Sequence, residues 1–143
     1  MLTRIQEIIC QTQSDIFYKA NEMSYDMDIF VPQYMNSNFC KRQMDVIYSY
    51  FQMADAEDSI DYIFKEIKVP KTKKIKYAPN PMGWIGYTYR QLVFVLNKTS
   101  WEIYERIPFL EMVRSYGLHV VDEDMAVEII IENKFPEAAT WKI

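Results

Sequence analysis

The stretch Pro81-Met82-Gly83-Trp84-Ile85-Gly86-Tyr87-Thr88-Tyr89-Arg90-Gln91-Leu92-Val93-Phe94-Val95-Leu96 decides how this chain folds. Ile85, Tyr89, Leu92 and Leu96 recur at helical spacing and share one face. Tyr87, Arg90 and Phe94 fall on the opposite face, where an amphipathic surface helix carries charges. The segment therefore reads as a helix over about 82–97 with no wet side. It is either the central helix of a helical domain or a helix whose second face is covered by a partner. Pro81, after Asn80, suits the first helical position, where its missing N–H costs nothing.

Upstream, residues 2–21 repeat Ile5, Ile8, Ile9, Thr12, Ile16 and Phe17 at intervals of three and four, the mark of an amphipathic helix. A break follows around residues 23–25. Asp26 can cap a second helix striped by Met27, Phe30, Val31 and Tyr34, with Pro32 implying a late start or a bend. Residues 36–38 supply turn chemistry for a short helix through Phe39, Cys40 and Met44. An aromatic connection with Tyr48, Tyr50, Phe51 and Met53 leads to Asp55, an N-cap candidate. The helix after it has acids in its first turn and a stripe of Ile60, Ile63, Phe64 and Ile67. Residues 68–80, with five lysines, Pro70 and Pro79, read as a flexible loop between two halves.

Downstream, Thr99-Ser100-Trp101-Glu102 has the spacing of a capping box and opens a short helix with Ile103, Tyr104 and Ile107. Pro108 stops it and starts another through Phe109, Leu110, Met112 and Val113. Gly117 is the expected left-handed stop. Asp122 opens the last long helix, with Met125, Ala126, Ile129 and Ile130 directed inward, and the tail carries Trp141. The expectation is an all-α fold over residues 1–143: a single compact domain of six to eight short helices around the central one.

Composition narrows the function. Half of the 143 residues are hydrophobic and 15% are aromatic, a globular balance. Only three glycines argue against a sandwich or barrel. No run nears the roughly 18 apolar residues of a membrane span. The first residues lack a secretory signal, so Cys10 and Cys40 are expected as buried thiols in a cytoplasmic protein. Between Lys65 and Lys76 lie six lysines and one glutamate, so the rest of the chain carries −9 of a net −4. Such an acidic body does not recruit nucleic acid by counterion release.

Chemistry is sparse. His119 is the single histidine, read as a structural residue bonding a helix end, with an acid–base site as the alternative. The acids at 122–124 fit a helix cap better than a calcium loop. Residues 83–86 lack the strand that precedes a phosphate-binding turn, and no pattern calls for a metal or cofactor. Lys71, Lys73, Lys74 and Lys76 form the only nucleic-acid candidate. A helix-turn-helix reading of residues 92–107 fails because Glu102 and Glu105 occupy the helix that would read bases. The sharpest signal is aromatic. Trp84, Tyr87, Arg90, Phe94, Trp101, Tyr104 and Arg106 include the residue types that dominate interface hot spots, and they form the candidate partner-binding set. Filling the core is their alternative role.

Three stretches carry a resemblance: residues 25–40, residues 83–92 with Gly83-Trp84-Ile85-Gly86-Tyr87-Thr88-Tyr89-Arg90-Gln91-Leu92, and residues 118–126 with Leu118-His119-Val120-Val121-Asp122-Glu123-Asp124-Met125-Ala126. In these the chain resembles a family of small bacterial proteins encoded beside toxins, including ADP-ribosyltransferase-like ones. The resemblance implies an antitoxin or immunity-type protein with a protein partner. It transfers no catalytic or binding residue. The expected function is therefore a non-enzymatic protein-binding module, with a nucleic-acid-binding regulator as the alternative and self-association left open.

Overall fold

The computed structural model describes residues 2–139, and the tail residue Trp141 lies outside them. The described chain is all-helical, with no named strand. Seven α-helices are joined by 3-10 and π-helical turns: α1 (Arg4–Glu22), α2 (Met27–Met35), α3 (Ala56–Glu66), α4 (Pro79–Leu96), α5 (Ser100–Arg106), α6 (Phe109–Arg114) and α7 (Glu123–Lys134).

Local chemistry starts these helices. Thr3 with Gln6 and Thr99 with Glu102 form reciprocal capping boxes. Asp26 accepts from the Asp28 N–H and Asp122 from the Met125 N–H, each supplying one of the bonds a helix start lacks. Asp55 holds the N-cap position of α3 without a side-chain bond. Thr99→Ala is expected to cost about 1 kcal/mol by removing the cap on α5; urea unfolding of the full chain measures it.

Helix α4 runs through the middle. Its buried positions, from Met82 to Val93, go round most of its circumference and include Thr88, Arg90 and Gln91. It lies antiparallel against α1. Gly83 faces Ser14, Gly86 faces Gln13 and Phe17, and Val93 and Phe94 meet Ile5 and Ile9 near the other end. Helices α5, α6 and α7 pack on its remaining sides, and α3 packs on α1. Phe17, Phe30, Tyr34 and Phe39 form an aromatic chain through the N-terminal half. Such edge and offset contacts add about 0.5–1.5 kcal/mol each beyond area burial.

Several local expectations change. Helix α4 begins at Pro79 on the N-cap Ala78, two residues before Pro81. Pro32 sits inside α2, which starts on time at Met27. The short helix after Asn38 is a π-helical turn, Cys40–Met44. Gly117 lies inside the 3-10 turn Ser115–Val120, and no glycine has positive φ. The left-handed residues are Ser24 (φ 68°), after α1, and Asn97 (φ 51°), which ends α4. Ile5, Ile8, Leu110 and Met125 are exposed, whereas Val127 and Ile131 are buried on α7.

The lysine-rich segment is tied down. The Asp26 N–H donates to the Pro70 carbonyl at 2.9 Å and the Thr72 N–H to the Ser24 carbonyl at 2.7 Å, an isolated antiparallel bridge. Asn21 donates to the Tyr77 carbonyl at 2.9 Å. Asp28 accepts from the Tyr77 hydroxyl at 2.6 Å and pairs with Lys76 at 2.9 Å. Burial alone would raise the Asp28 pKa, but Tyr77 and Lys76 outweigh it and hold the carboxyl below its ordinary 3.8. The unfolded chain therefore takes up this proton first as pH falls. The stabilisation is complete above about pH 4 and is lost on acidification through the depressed value. Tyr77→Phe is expected to flatten that part of the stability–pH curve. At neutral pH its cost stays under about 1 kcal/mol, because solvent screens this partly exposed pair. Urea unfolding between pH 2 and 7 tests both.

Candidate functional site

Arg90 is the candidate the fold treats most differently from expectation. It is 0% exposed, so in this structure it is no part of a partner-binding surface. Its Nη1 donates to Asp45 Oδ1 at 2.7 Å. Its Nη2 donates to Gln13 Oε1 at 2.7 Å and Ser100 Oγ at 2.8 Å, and lies 3.4 Å from Cys40 Sγ. Ser100 closes the circuit by donating its hydroxyl to Asp45 Oδ1 at 2.5 Å and its N–H to Oδ2 at 3.0 Å. Gln13 accepts from the Tyr34 hydroxyl and donates to the Gly86 carbonyl. One guanidinium thus joins α1, the π-helical turn, α4 and α5, and Gln13 links it to Tyr34 of α2. Burial opposes its charge, yet Cys40, Tyr34 and Asp45 raise its pKa above the ordinary arginine value. The same burial pushes the Cys40 and Tyr34 pKa values up, and that of Cys10 to about 12. Neither cysteine is an activated thiolate. This network is structural and almost fully buried, with the Asp45 carboxylate reaching the edge of a surface groove.

The other candidates do not form one surface. Trp84 and Tyr87 are half-buried on the side of α4 facing α1 and α7. Phe94 is half-buried in a separate groove with Ile5, Ile9 and Val93, beneath residues 44–47. Trp101 and Tyr104 stack on each other, centroids 5.3 Å apart, and Tyr104 leans on the buried Tyr89. Arg106 donates to Glu137 and to the Lys134 carbonyl, both at 2.6 Å, and covers the Phe135 ring. All four lysines, Lys71, Lys73, Lys74 and Lys76, are exposed; Lys71 lies over the Tyr25 ring and Lys76 pairs with Asp28.

Two features escaped sequence reasoning. The first is an exposed apolar run. After Asp45 the chain leaves the core, and Ile47 is 100%, Tyr48 84% and Tyr50 68% exposed, beside the groove that holds Phe94. Adjacent apolar side chains held in water are the surface signal of an interaction site. The second is an open cleft of about 810 Å³ between α1, α4 and the start of α7, lined by Glu7, Trp84, Gln91, His119 and residues 121–124. A pocket of about 200 Å³ continues it along Tyr87 and Gly83. Burial first, and then the neighbouring Glu123 carboxylate, raises the Tyr87 pKa, with weaker contributions from Cys10 and Glu7. His119 stacks on Tyr116 at 4.1 Å with Nδ1 2.6 Å from the Tyr116 carbonyl, so Nδ1 carries the proton. Among the described residues no carboxylate pairs with its ring, and no group of acids, cysteines and histidine is arranged to hold a metal ion.

No helix among the described residues is long and apolar enough to cross a membrane. Comparison of the chain with protein-family models, curated proteins and solved structures gives no match.

Proposed function

We propose that this is a non-catalytic binding protein that docks on a protein partner, acting as an antitoxin or immunity-type protein acts on a toxin enzyme. The observation that carries the reading is the apolar run at residues 47–50, displayed in water beside an apolar groove. Ile47 and Tyr48 add nothing to the fold of the free chain, and leaving them exposed has an aggregation cost that a partner would remove. The acidic remainder of the chain favours encounter with a basic partner. The lysine segment supports the nucleic-acid alternative less well, because two of its four candidate lysines are engaged within the chain.

The test is a paired capture from the native host with the tagged wild type and with Ile47→Asp/Tyr48→Asp. Both substitutions are at the surface and are expected to change stability by no more than about 0.5 kcal/mol each. A stoichiometric partner held by the wild type and lost from the variant is the expected result. Growth arrest by that partner, relieved by co-expressing the wild type but not the variant, carries the antitoxin reading. Equal capture by both proteins, or capture of nucleic acid alone, sinks it.

A further inference from the structure

We propose that the cleft between α1, α4 and the start of α7 binds a primary alkylammonium group, seated between the Glu7 and Glu123 carboxylates and hydrogen-bonded by Gln91. Three independent features converge there. Glu7 comes from α1 and Glu123 from α7, and among the described residues neither carboxylate forms an ion pair. Glu123 complements the N-terminal dipole of α7, which accounts for its presence at that position. Glu7 suits the first turn of α1 in the same way, and the packing of the two helices on α4 brings both acids to one cleft.

The second feature is Gln91. It is 2% exposed, lines both parts of the cleft, and no group among the described residues hydrogen-bonds its carboxamide. Among the described residues only the Ser59 hydroxyl is buried without a partner, so the Gln91 carboxamide is open to the cleft. Solvent or a ligand in the cleft must satisfy it. Its oxygen and the two carboxylates offer three acceptors, matching the three N–H donors of an ammonium.

The third feature is aromatic. Trp84 and Tyr87 line the cleft, and a cation beside an aromatic ring is attracted by its negative face. Carboxylates together with aromatic rings suit an organic cation with an alkyl stem. Among the described residues no three acids, cysteines or histidines are grouped as a metal ion requires. The alkylammonium can belong to a lysine side chain of a protein or to a free amine, and the test separates the two.

The full chain is titrated at low ionic strength with 1,5-diaminopentane and with Nα-acetyl-lysine N-methylamide, with 1-pentanol as the neutral control. Calorimetry and tryptophan fluorescence follow binding. Saturable binding of at least one amine is expected, weakened roughly tenfold, or about 1.4 kcal/mol, by Glu123→Gln and by Gln91→Met. Asp61→Asn, on the exposed face of α3, leaves it unchanged. Binding of the lysine derivative alone places the ammonium on a protein, and binding of the diamine alone makes the ligand a free amine; each supports the site. No saturable binding of either amine, equal binding of 1-pentanol, or affinity untouched by both cleft substitutions overturns it. Circular dichroism verifies that each variant is folded. Ile47 and Tyr48 lie outside the cleft, so Ile47→Asp/Tyr48→Asp retains amine binding, and this inference and the docking surface fail separately.

Discussion

Arg90→Met is expected to destabilise the protein by about 3–5 kcal/mol, because it leaves a buried carboxylate without its counter-charge. The Asp45 side chain is 7% exposed, and its remaining donors would be the Ser100 hydroxyl and N–H. Gln13 Oε1 would also lose two of its three donors. A domain of this size has roughly 5–15 kcal/mol in total, so the variant should unfold at a much lower urea concentration. The pair need not be a net source of stability. Breaking one member is costly, whereas replacing both with apolar groups is often neutral. Arg90→Met/Asp45→Leu is therefore expected to recover most of the loss, with a coupling energy of at least about 2 kcal/mol in the cycle. Thiol labelling gives a second readout: Cys40 should react slowly in the wild type and much faster in Arg90→Met. A single variant within about 1 kcal/mol of wild type would mean that the guanidinium is not enclosed as described.

Arg90 also marks where sequence reading stops. The pattern around it shows that α4 is covered on nearly all sides, which the structure bears out. Periodicity places Arg90 on a face but cannot say what lies opposite. Its partners come from residues 13, 40, 45 and 100, on α1, the π-helical turn and its C-cap, and α5. A solvated arginine and a fully enclosed one have the same local sequence. Helix starts were legible for the opposite reason. Thr99 finds Glu102 three residues on, and Asp122 finds the Met125 N–H, so those bonds are local and sequence spacing reports them.

The same distinction explains the rest. Lysine content and two prolines make residues 68–80 look loose, because nothing nearby announces that Asp28 accepts from Tyr77. Gly117 looks like a helix stop by composition, but a 3-10 turn needs no left-handed residue, and Asn97 takes that conformation instead. The cleft brings Glu7 beside Glu123, residues from the two ends of the chain. Neither acid is unusual in its own helix. Only the packing of α1 and α7 on α4 makes them neighbours.

Gly86→Ala is expected to lower stability by about 1–3 kcal/mol, the range for an extra methyl in a filled core. Helix propensity acts in the other direction, since Ala is favoured over Gly by about 1 kcal/mol inside a helix. Packing decides the sign. A Cβ at Gly86 would lie 2.7 Å from the Gln13 carbonyl oxygen and 3.0 Å from Phe17 Cγ. A backbone oxygen of α1 cannot rotate away, so the two helices would have to separate. That movement would pull on the Gln13 side chain, which holds the Gly86 carbonyl at 2.8 Å and also carries two bonds from Arg90. Gly83 is the control on the same helix. Its added Cβ would meet Ser14 Oγ at 3.2 Å, the end of a small side chain that can turn aside. Gly83→Ala should therefore be neutral or stabilising by up to about 1 kcal/mol, as propensity alone predicts. Urea unfolding of both variants at one pH decides the matter. Opposite signs place the close approach of α1 and α4 at Gly86, whereas equal gains in stability would show that the helices are not held together there.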